Sequence, residues 1–482
     1  MIKKVQFSAI VAYEKDSRGI GASGTIPWRN SLDLKFFKKV TVGNGNNAVI
    51  MGRKTFESIG KALPGRINLV LSNTFEKTGD DYEVFHTIDS VIERCENGGF
   101  DNVFVIGGAK IYKEFLNRDL IDVLYIDEIN SNSVNQSAVF DAFFPRLENE
   151  FIEADFLSKH YKDFCSSLNT VKVLYRRRTT QETDHDYLAL LDKVIHNGAE
   201  RCSRAGEVLS DFCNTLSFDL KSGLPALTSK KMYSRGCINE LLWFLRGESN
   251  IQFLVEHSTH IWDADAYRFY KQNVDNPVSL EEFLDNVKTG NVYAFTKNGI
   301  KYNFGDLGPV YGKQWRSWNN IDQIKNVINL IKNDPYSRRI MLNAWNVSDI
   351  DKMALPPCHY GCQFYVKVID NVKYLSCTFN MRSVDVCLGL PYDILSYGIL
   401  THIIANLTGC KVDKLNCFLG DTHVYKNQLN SVYKQLTRNP YTFDLPSIEL
   451  KDITNIDNLS INNIIINNYN SFNGIKYPLS VG

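Results

Sequence analysis

The sequence has no net charge: Lys+Arg and Asp+Glu both number 54 in 482 residues. That balance gives no global electrostatic reason for a nucleic-acid or membrane partner, although a local cationic pocket can still take a small anion. No run of ~20 apolar residues could span a bilayer. Residues 1–13 (MIKKVQFSAIVAY) hold only a short apolar run and no small-residue cleavage site, so no signal peptide is expected. Paired CxxC spacing is missing as well. The 11 Cys are scattered, and Cys358, Cys362 and Cys377 lack His at ligand spacing. No metal site is expected, and reduced thiols in the cytoplasm are. What remains is ordinary globular protein, 44% hydrophobic and 22% charged, long enough for two or three domains with full cores.

Apolar runs divide the chain. Residues 5–13, 48–51, 67–72, 103–106 and 123–129 read as buried strands, and 171–177 as a closing edge strand. Residues 32–40 place Leu32, Phe36, Phe37 and Val40 on one helical face, and 110–116 reads as another helix. Strands alternating with helices predict an α/β domain with a mostly parallel central sheet over residues 1–178. The polar stretch 179–185 (TTQETDH) is placed as a short linker, and a helix over 187–197 opens a second domain, 186–482. Residues 267–304 look inserted, with few long apolar runs, and are expected to be a surface excursion. The Asn- and Ile-rich stretch 455–470 fits strands.

Asp33 lies between Leu32 and Leu34. A carboxylate there is costly without a partner or a task, although alone it reads as a first-turn residue facing the helix dipole. Its surroundings say more. A Gly-rich loop ends in Pro27-Trp28. A strand runs into Gly52-Arg53-Lys54-Thr55, where a helix start and two cations suit a phosphate. Leu63-Pro64-Gly65-Arg66 follows, then a second strand-to-helix turn at Gly107-Gly108.

In this order residues 5–178 resemble dihydrofolate reductase. The resemblance implies NADPH-dependent reduction of dihydrofolate, with Asp33 holding the pterin 2-amino group and N3 and supporting protonation at N5. It implies that Ile10, Val11 and Phe37 pack on the pterin, that Trp28 orders a water, and that Arg66 pairs with the folate glutamate. Gly52, Arg53, Lys54 and Thr55 would hold NADPH, with Arg53 at the 2′-phosphate and Ser72 at the adenosine end. Gly107-Gly108, joined by a cis peptide, would approach the cofactor. One departure stands out: Asp127 replaces a Thr that hydrogen-bonds the acid in that family. Two carboxylates in contact cannot both ionise cheaply, so either one pKa rises and carries the pH optimum upward or Asp127 turns away from the acid.

Cys358, in Leu355-Pro356-Pro357-Cys358-His359, is the candidate nucleophile. A lone Cys is usually a small buried hydrophobe. A thiol attacks only as thiolate and needs positive charge nearby. Arg204, Arg338, Arg339 and Arg382 could converge to bind a phosphate and depress the thiol pKa. Glu240 is the one acid in an apolar helix, and Ile261-Trp262-Asp263, DLGPVYG (306–312), GLPYD (389–393) and GDTHVY (420–425) follow.

From about residue 186 to 482 this pattern resembles thymidylate synthase. The resemblance implies an α+β domain that methylates dUMP, with 5,10-methylenetetrahydrofolate as cosubstrate. Cys358 would attack C6, and Arg204, Arg382, Ser383, Arg338 and Arg339 would bind the phosphate. In that family the Arg pair comes from the other subunit, which implies an obligate homodimer through this domain. His423 and Tyr425 would hold the 3′-hydroxyl. Glu240 would order waters and protons, and Tyr311 would stand near the C5 proton. Asp385 would bind the pterin, and Trp262 would shield the methylene group. Among the departures, Met381 replaces a Gln, the Arg204 loop is one residue shorter, and the tail at 477–482 is one residue longer, where the family's terminal carboxylate closes the site. Asp393 stands where an Asn reads the uracil.

Asp393 raises an alternative, an enzyme acting on dCMP as a methylase or hydroxymethylase. A third reading, with one half an inert scaffold or RNA-binding module, conflicts with the presence of Asp33, Glu240 and Cys358 together. The fusion favours reductive methylation. That reaction takes carbon and hydride from the folate and leaves dihydrofolate, which the attached reductase reduces. A hydroxymethylase leaves tetrahydrofolate and has no such need.

Overall fold

Uncharged runs of Val, Ile and Leu suit a sheet covered on both faces, and the N-terminal half builds one. The computed structural model describes residues 5–43, 45–75, 79, 81–147, 150–164 and 170–480. Two compact units emerge, Met1–Thr180 with Tyr433–Asp444, and Gln181–Val432 with Leu445–Gly482.

The main sheet of the first unit has eight strands: β1 (Phe7–Glu14), β2 (Ala48–Gly52), β3 (Ile67–Leu71), β4 (Tyr82–Phe85), β5 (Val103–Gly107), β6 (Ile121–Ile129), β7 (Phe151–Glu153) and β8 (Val171–Arg176). Their order is β4-β3-β2-β5-β1-β6-β8-β7. The first six run parallel, β8 lies antiparallel to β6, and β7 lies antiparallel to β8. The strand expected at the edge, β8, is therefore second from it, because β7 pairs along its outer side. Five helices cover the sheet: α1 (Ser31–Val42), α2 (Arg53–Ile59), α3 (Ile88–Asn97), α4 (Ala109–Asn117) and α5 (Asp155–Phe164). Ala48, Ile50, Leu69, Val103, Val105 and Leu124 are wholly buried between the layers. The crossover through α1 runs one way from β1 and the one through α4 runs the other way from β5. Ligands bind where such crossovers diverge, at the carboxyl ends of the strands. The segment Tyr433–Asp444 belongs to this unit, with Asn439 Nδ2 donating to the carbonyls of Asp122 and Arg176.

The second unit starts inside the stretch read as a linker. Helix α6 (Thr183–Asn197) begins there, and buried Asp184 accepts from Thr228 N–H, its hydroxyl and Ser229 N–H at 2.7–3.1 Å. A polar sequence does not require exposure when every polar atom finds a partner. The sheet comprises β9 (Ala199–Ser203), β10 (Gly206–Asp219), β11 (Met341–Asn343), β12 (His359–Ile369), β13 (Val372–Asp385) and β14 (Lys411–Tyr425), in the order β9-β10-β14-β13-β12-β11. Only β13 and β14 pair in parallel among these. Three helices bear the site: α7 (Ser234–Leu245), α8 (Tyr311–Ser317) and the long apolar α9 (Gly389–Thr408).

The stretch 267–304 is no loose excursion. Helices Asp263–Lys271 and Leu280–Thr289 and a hairpin of Tyr293–Lys297 with Ile300–Asn303 close over Phe269, Tyr270, Phe283, Phe295 and Tyr302, all buried. In 455–470 only Ile464–Asn467 is a strand, paired with Ser447–Leu450; 3-10 turns precede it. Of the tail at 477–482, expected to be one residue longer than in the family, Val481-Gly482 lie outside the described residues. Among the described residues no helix is long and apolar enough to cross a membrane.

Candidate active sites

In the first unit, Asn30 caps α1, its Oδ1 accepting from Leu32 N–H at 3.0 Å and Asp33 N–H at 3.4 Å. This fixes Asp33 in the first helical turn. A helix start would favour its charged form; burial, followed by the carboxyl of Asp127, instead pushes the Asp33 pKa up to about 7. Asp127 lies on β6, wholly buried, and accepts from Thr170 Oγ1 at 2.6 Å. Burial first and Glu128 next raise its pKa, while Thr170 lowers it. The second carboxyl expected from the sequence therefore does act on Asp33. Tyr112, which was not singled out, also feels Asp33 and donates its hydroxyl to the Ile10 carbonyl at 2.7 Å. It lies in the helix read over 110–116, just after Gly107-Gly108, but an aromatic on a helix reads first as core.

Ile10, Val11 and Trp28 are buried, and Trp28 Nε1 has no hydrogen-bond partner. The Arg66 guanidinium lies 5.8 Å from the Phe37 ring centre and donates to Thr41 Oγ1 at 2.7 Å. At the carboxyl ends of neighbouring β2 and β5, Gly52 and Gly108 precede α2 and α4 with no side-chain cap. A Cβ on Gly52 would meet Ile111 Cγ1 at 3.1 Å, and one on Gly108 would meet Thr55 Oγ1 at 3.3 Å. Bare backbone amides in these turns suit a phosphate-bearing cofactor. The Gly107-Gly108 peptide is cis, as the resemblance implied. Arg53 is tied loosely to Glu57 at 3.4 Å, and Lys54 is exposed. Ser72 differs, being buried with Oγ accepting from the N–H groups of Thr74 and Phe75.

In the second unit, Cys358 immediately precedes β12. Its N–H donates to the Tyr311 hydroxyl at 2.7 Å. The Tyr311 ring stacks on His359, centres 4.3 Å apart, and His359 Nδ1 is 3.0 Å from the Tyr397 hydroxyl. His359 Nε2 lies 3.7 Å from Asp393 Oδ1, and burial holds the imidazole near pKa 3, so it is neutral. His359 stood in the motif with Cys358 but was given no role, although its place beside the thiol was a signal. Trp262 Nε1 donates to Glu240 Oε1 at 2.8 Å; burial still lifts Glu240 to about 7. Burial, then Glu240 and Asp385, push Asp393 well above the usual carboxylate range.

A second group gathers at the paired ends of β13 and β14, where Ser383 faces Asp421 and Asp385 faces His423 in register. Asp385 Oδ1 accepts from the N–H groups of Cys387 and Leu388. Tyr425 feels Asp385, Cys358 and Arg204, which links the two groups. The resemblance assigns Arg338 and Arg339 to a partner subunit, so only Arg204 and Arg382 are expected beside the thiol of their own chain. Arg382 donates to the carbonyls of Pro356 and Pro357 and is the strongest influence lowering the Cys358 pKa. Arg338 and Arg339 stand exposed on the loop before β11. The thiol is consequently raised, because burial outweighs Arg382 while Asp393 and Asp265 oppose it.

Residues 6–177 match the dihydrofolate reductase family and residues 185–481 the thymidylate synthase family. The bifunctional dihydrofolate reductase-thymidylate synthase of Plasmodium berghei (strain Anka) is 32% identical, over 94% of this chain and 93% of that protein. The corresponding Paramecium tetraurelia protein is 32% identical over 98% and 99%. Bifunctional dihydrofolate reductase-thymidylate synthase 2 of Arabidopsis thaliana is 35% identical over 93% and 84%.

The chain belongs to the bifunctional dihydrofolate reductase-thymidylate synthase family. It is an oxidoreductase and a methyltransferase, using NADPH in the reductase half and 5,10-methylenetetrahydrofolate in the synthase half. The comparisons lend no support to action on dCMP. The bare turns at Gly52 and Gly108 fit the phosphate-bearing cofactor of the reductase.

Proposed function

We propose that Asp33 is the acid that orients dihydrofolate and supports proton uptake at N5, and that Cys358 is the nucleophile that methylates dUMP. When bound, NADPH supplies the hydride. Ile10, Val11, Trp28 and Phe37 form the pterin wall, and Arg66 beside Phe37 takes the glutamate carboxylate. Gly52, Arg53, Lys54, Thr55, Gly107 and Gly108 hold the cofactor. Ser72 contributes by shaping the turn at the adenosine end, since its hydroxyl is occupied by backbone N–H groups.

In the synthase half, Cys358 Sγ bonds to C6 of the pyrimidine, and the C5–C6 electron pair moves to C5. After carbon transfer the C5 proton leaves, with Tyr311 and Glu240 ordering the groups that take it. The folate then gives a hydride to the transferred carbon, completing the methyl group, and leaves as dihydrofolate while the S–C6 bond breaks and restores the thiolate. Trp262 shields the reacting carbon and orients Glu240, while Asp385 meets the pterin. Arg204, Arg382 and Ser383 take the phosphate, and His423 and Tyr425 take the 3′-hydroxyl. A neutral Asp393 replaces an amide at the base: its carbonyl accepts from N3–H and its hydroxyl donates to O4.

Arg338 and Arg339 complete the phosphate site of a second copy. Their exposure supports this, as does the open sheet face carrying Tyr365 and Phe418. The chain therefore acts as a homodimer through this half. The ten cysteines among the described residues are free, which fits a reducing, cytoplasmic setting.

The observation that carries this reading is the cluster of Tyr311, His359, Glu240 and Asp393 around Cys358. With 5-fluoro-dUMP and methylenetetrahydrofolate, fluorine cannot leave as a proton, so a covalent adduct should accumulate. Intact-mass and peptide mapping should place it on Cys358 and find none in Cys358→Ser. An adduct on Cys362 would move the nucleophile. For the dimer, mixed Cys358→Ser and Arg338→Ala/Arg339→Ala chains should regain methyl transfer, since one hybrid site is intact. No recovery would sink the shared site.

A further inference from the structure

Two carboxyl groups occupy the reductase site, and the chemistry above uses only one. Asp127 Oδ1 accepts from Thr170, whereas Oδ2 is buried with no hydrogen-bond partner. A carboxylate with one bare oxygen away from water is costly. As a neutral acid the same group carries a proton there and becomes a donor. The neighbours favour that state. Across the site, on α1, Asp33 and Asp127 repel each other as anions. On β6, Glu128 adds repulsion, although it pairs with Lys172 of β8 at 2.9 Å and accepts from Tyr13 of β1 at 3.3 Å. On α4, Tyr112 has its proton committed to Ile10. The register partners of Asp127 are Ala12 on β1 and Val171 on β8, neither of which titrates. Among the described residues no cation acts on either carboxyl.

We propose that Asp33 and Asp127 share one proton, carried on Asp127 Oδ2, and that this pair supplies the proton taken up when dihydrofolate is reduced. The proposal rests on Asp33 being the reductase acid. The balance is simple. The proton leaves Asp127 and passes through Asp33 and water to the N5 electron pair, the hydride arrives at the neighbouring carbon, and solvent returns one proton to the pair. Asp127 is thus a positioning residue that holds the proton and acts through Asp33. Thr170 fixes which oxygen carries it.

The test is the pH profile of kcat/KM for dihydrofolate in the full-length enzyme. Asp127→Asn keeps the shape but stores no proton, so the alkaline limb should move down by about one pH unit. Thr170→Val removes the donor that favours ionised Asp127, so the limb should move up. The opposite signs are the signature, and a merely structural role for either residue predicts neither. The pair is overturned if Asp127→Asn shifts the limb by less than about 0.2 unit or moves it upward. Should Asp127→Asn fail to fold, Thr170→Val decides alone: a limb that moves up supports the pair, and one that stays or falls overturns it. Asp33→Asn separates the two levels. If it retains full reduction, the reading of Asp33 fails and the pair with it. If it loses reduction while the Asp127→Asn limb stays put, only the pair fails.

Discussion

Asp33 and Glu240 are both acids raised to about pKa 7, but their settings differ. Burial is the first cause in each. The second influence on Asp33 is another carboxyl, which titrates in its turn. For Glu240 it is the indole N–H of Trp262, a dipole that pH does not alter. One site couples its acid to a partner of variable charge and the other clamps its acid with a fixed donor. Coupled groups lose protons in steps that belong to the pair. A clamped acid should show one simple step. The same contrast separates the chemistries, since reduction consumes a proton and methylation returns the proton that it takes from C5.

The largest way to break the comparison is to remove one site and watch the other. Cys358→Ser should reduce methyl transfer below detection, because a hydroxyl beside neutral His359 has no base to activate it. NADPH-dependent dihydrofolate reduction should continue at the wild-type rate, and a joint loss in steady-state assays would show that the two halves are not independent. In the other direction, Asp33→Asn should cut reduction by about 10²–10⁴-fold while sparing methyl transfer. NADPH oxidation within about threefold of wild type would remove Asp33 from its role.

These two residues were also the easiest to read. Asp33 and Cys358 sit in short, ordered motifs, and the strands β2, β5 and β6 lie within two residues of the runs that announced them. Uncharged apolar runs have few places to go except a covered sheet. What stayed hidden depended on residues distant in sequence. The core of the stretch 267–304 is made of single aromatics, Phe269, Phe283 and Phe295, spaced among charges. Each buries a large area, but no run reveals it. Asp184 reads as linker because its partners, Thr228 and Ser229, lie more than forty residues on. The thiol was expected to be depressed by arginines. Counting cations in a sequence says nothing of the burial and the acids, Asp393 and Asp265, that offset Arg382.

Trp262→Phe sharpens the contrast at moderate cost. Its N–H favours ionised Glu240, so losing it should raise the Glu240 pKa further. A limb of methyl transfer that requires ionised Glu240 should move to higher pH, by up to about one unit, remaining a single step. The same substitution should leave the reductase profile unchanged. A limb that moves down, or splits in two, would show that Glu240 is coupled to another titrating group after all, with Asp393 the first candidate.

Asp393→Asn should have the smallest effect at neutral pH and the most informative trend. Burial and two carboxyls push Asp393 well above the usual carboxylate range, and in its neutral form the acid can meet uracil by accepting from N3–H and donating to O4. As pH rises through its folded pKa, the ionised group would face O4 with a second negative oxygen. A mismatched buried polar contact costs about 1–3 kcal/mol, so wild-type kcat/KM for dUMP should fall on that side. An Asn amide keeps both contacts at every pH. The ratio of Asn variant to wild type should therefore stay within about threefold near neutrality and widen as the solution becomes alkaline. The sign follows from a raised acid pKa: the favourable neutral form exists below it and is lost above it. Initial rates with dUMP across about pH 6–9 decide the matter. A constant ratio throughout means that Asp393 does not meet the base, and that its neutrality serves only to let a carboxyl sit beside Glu240.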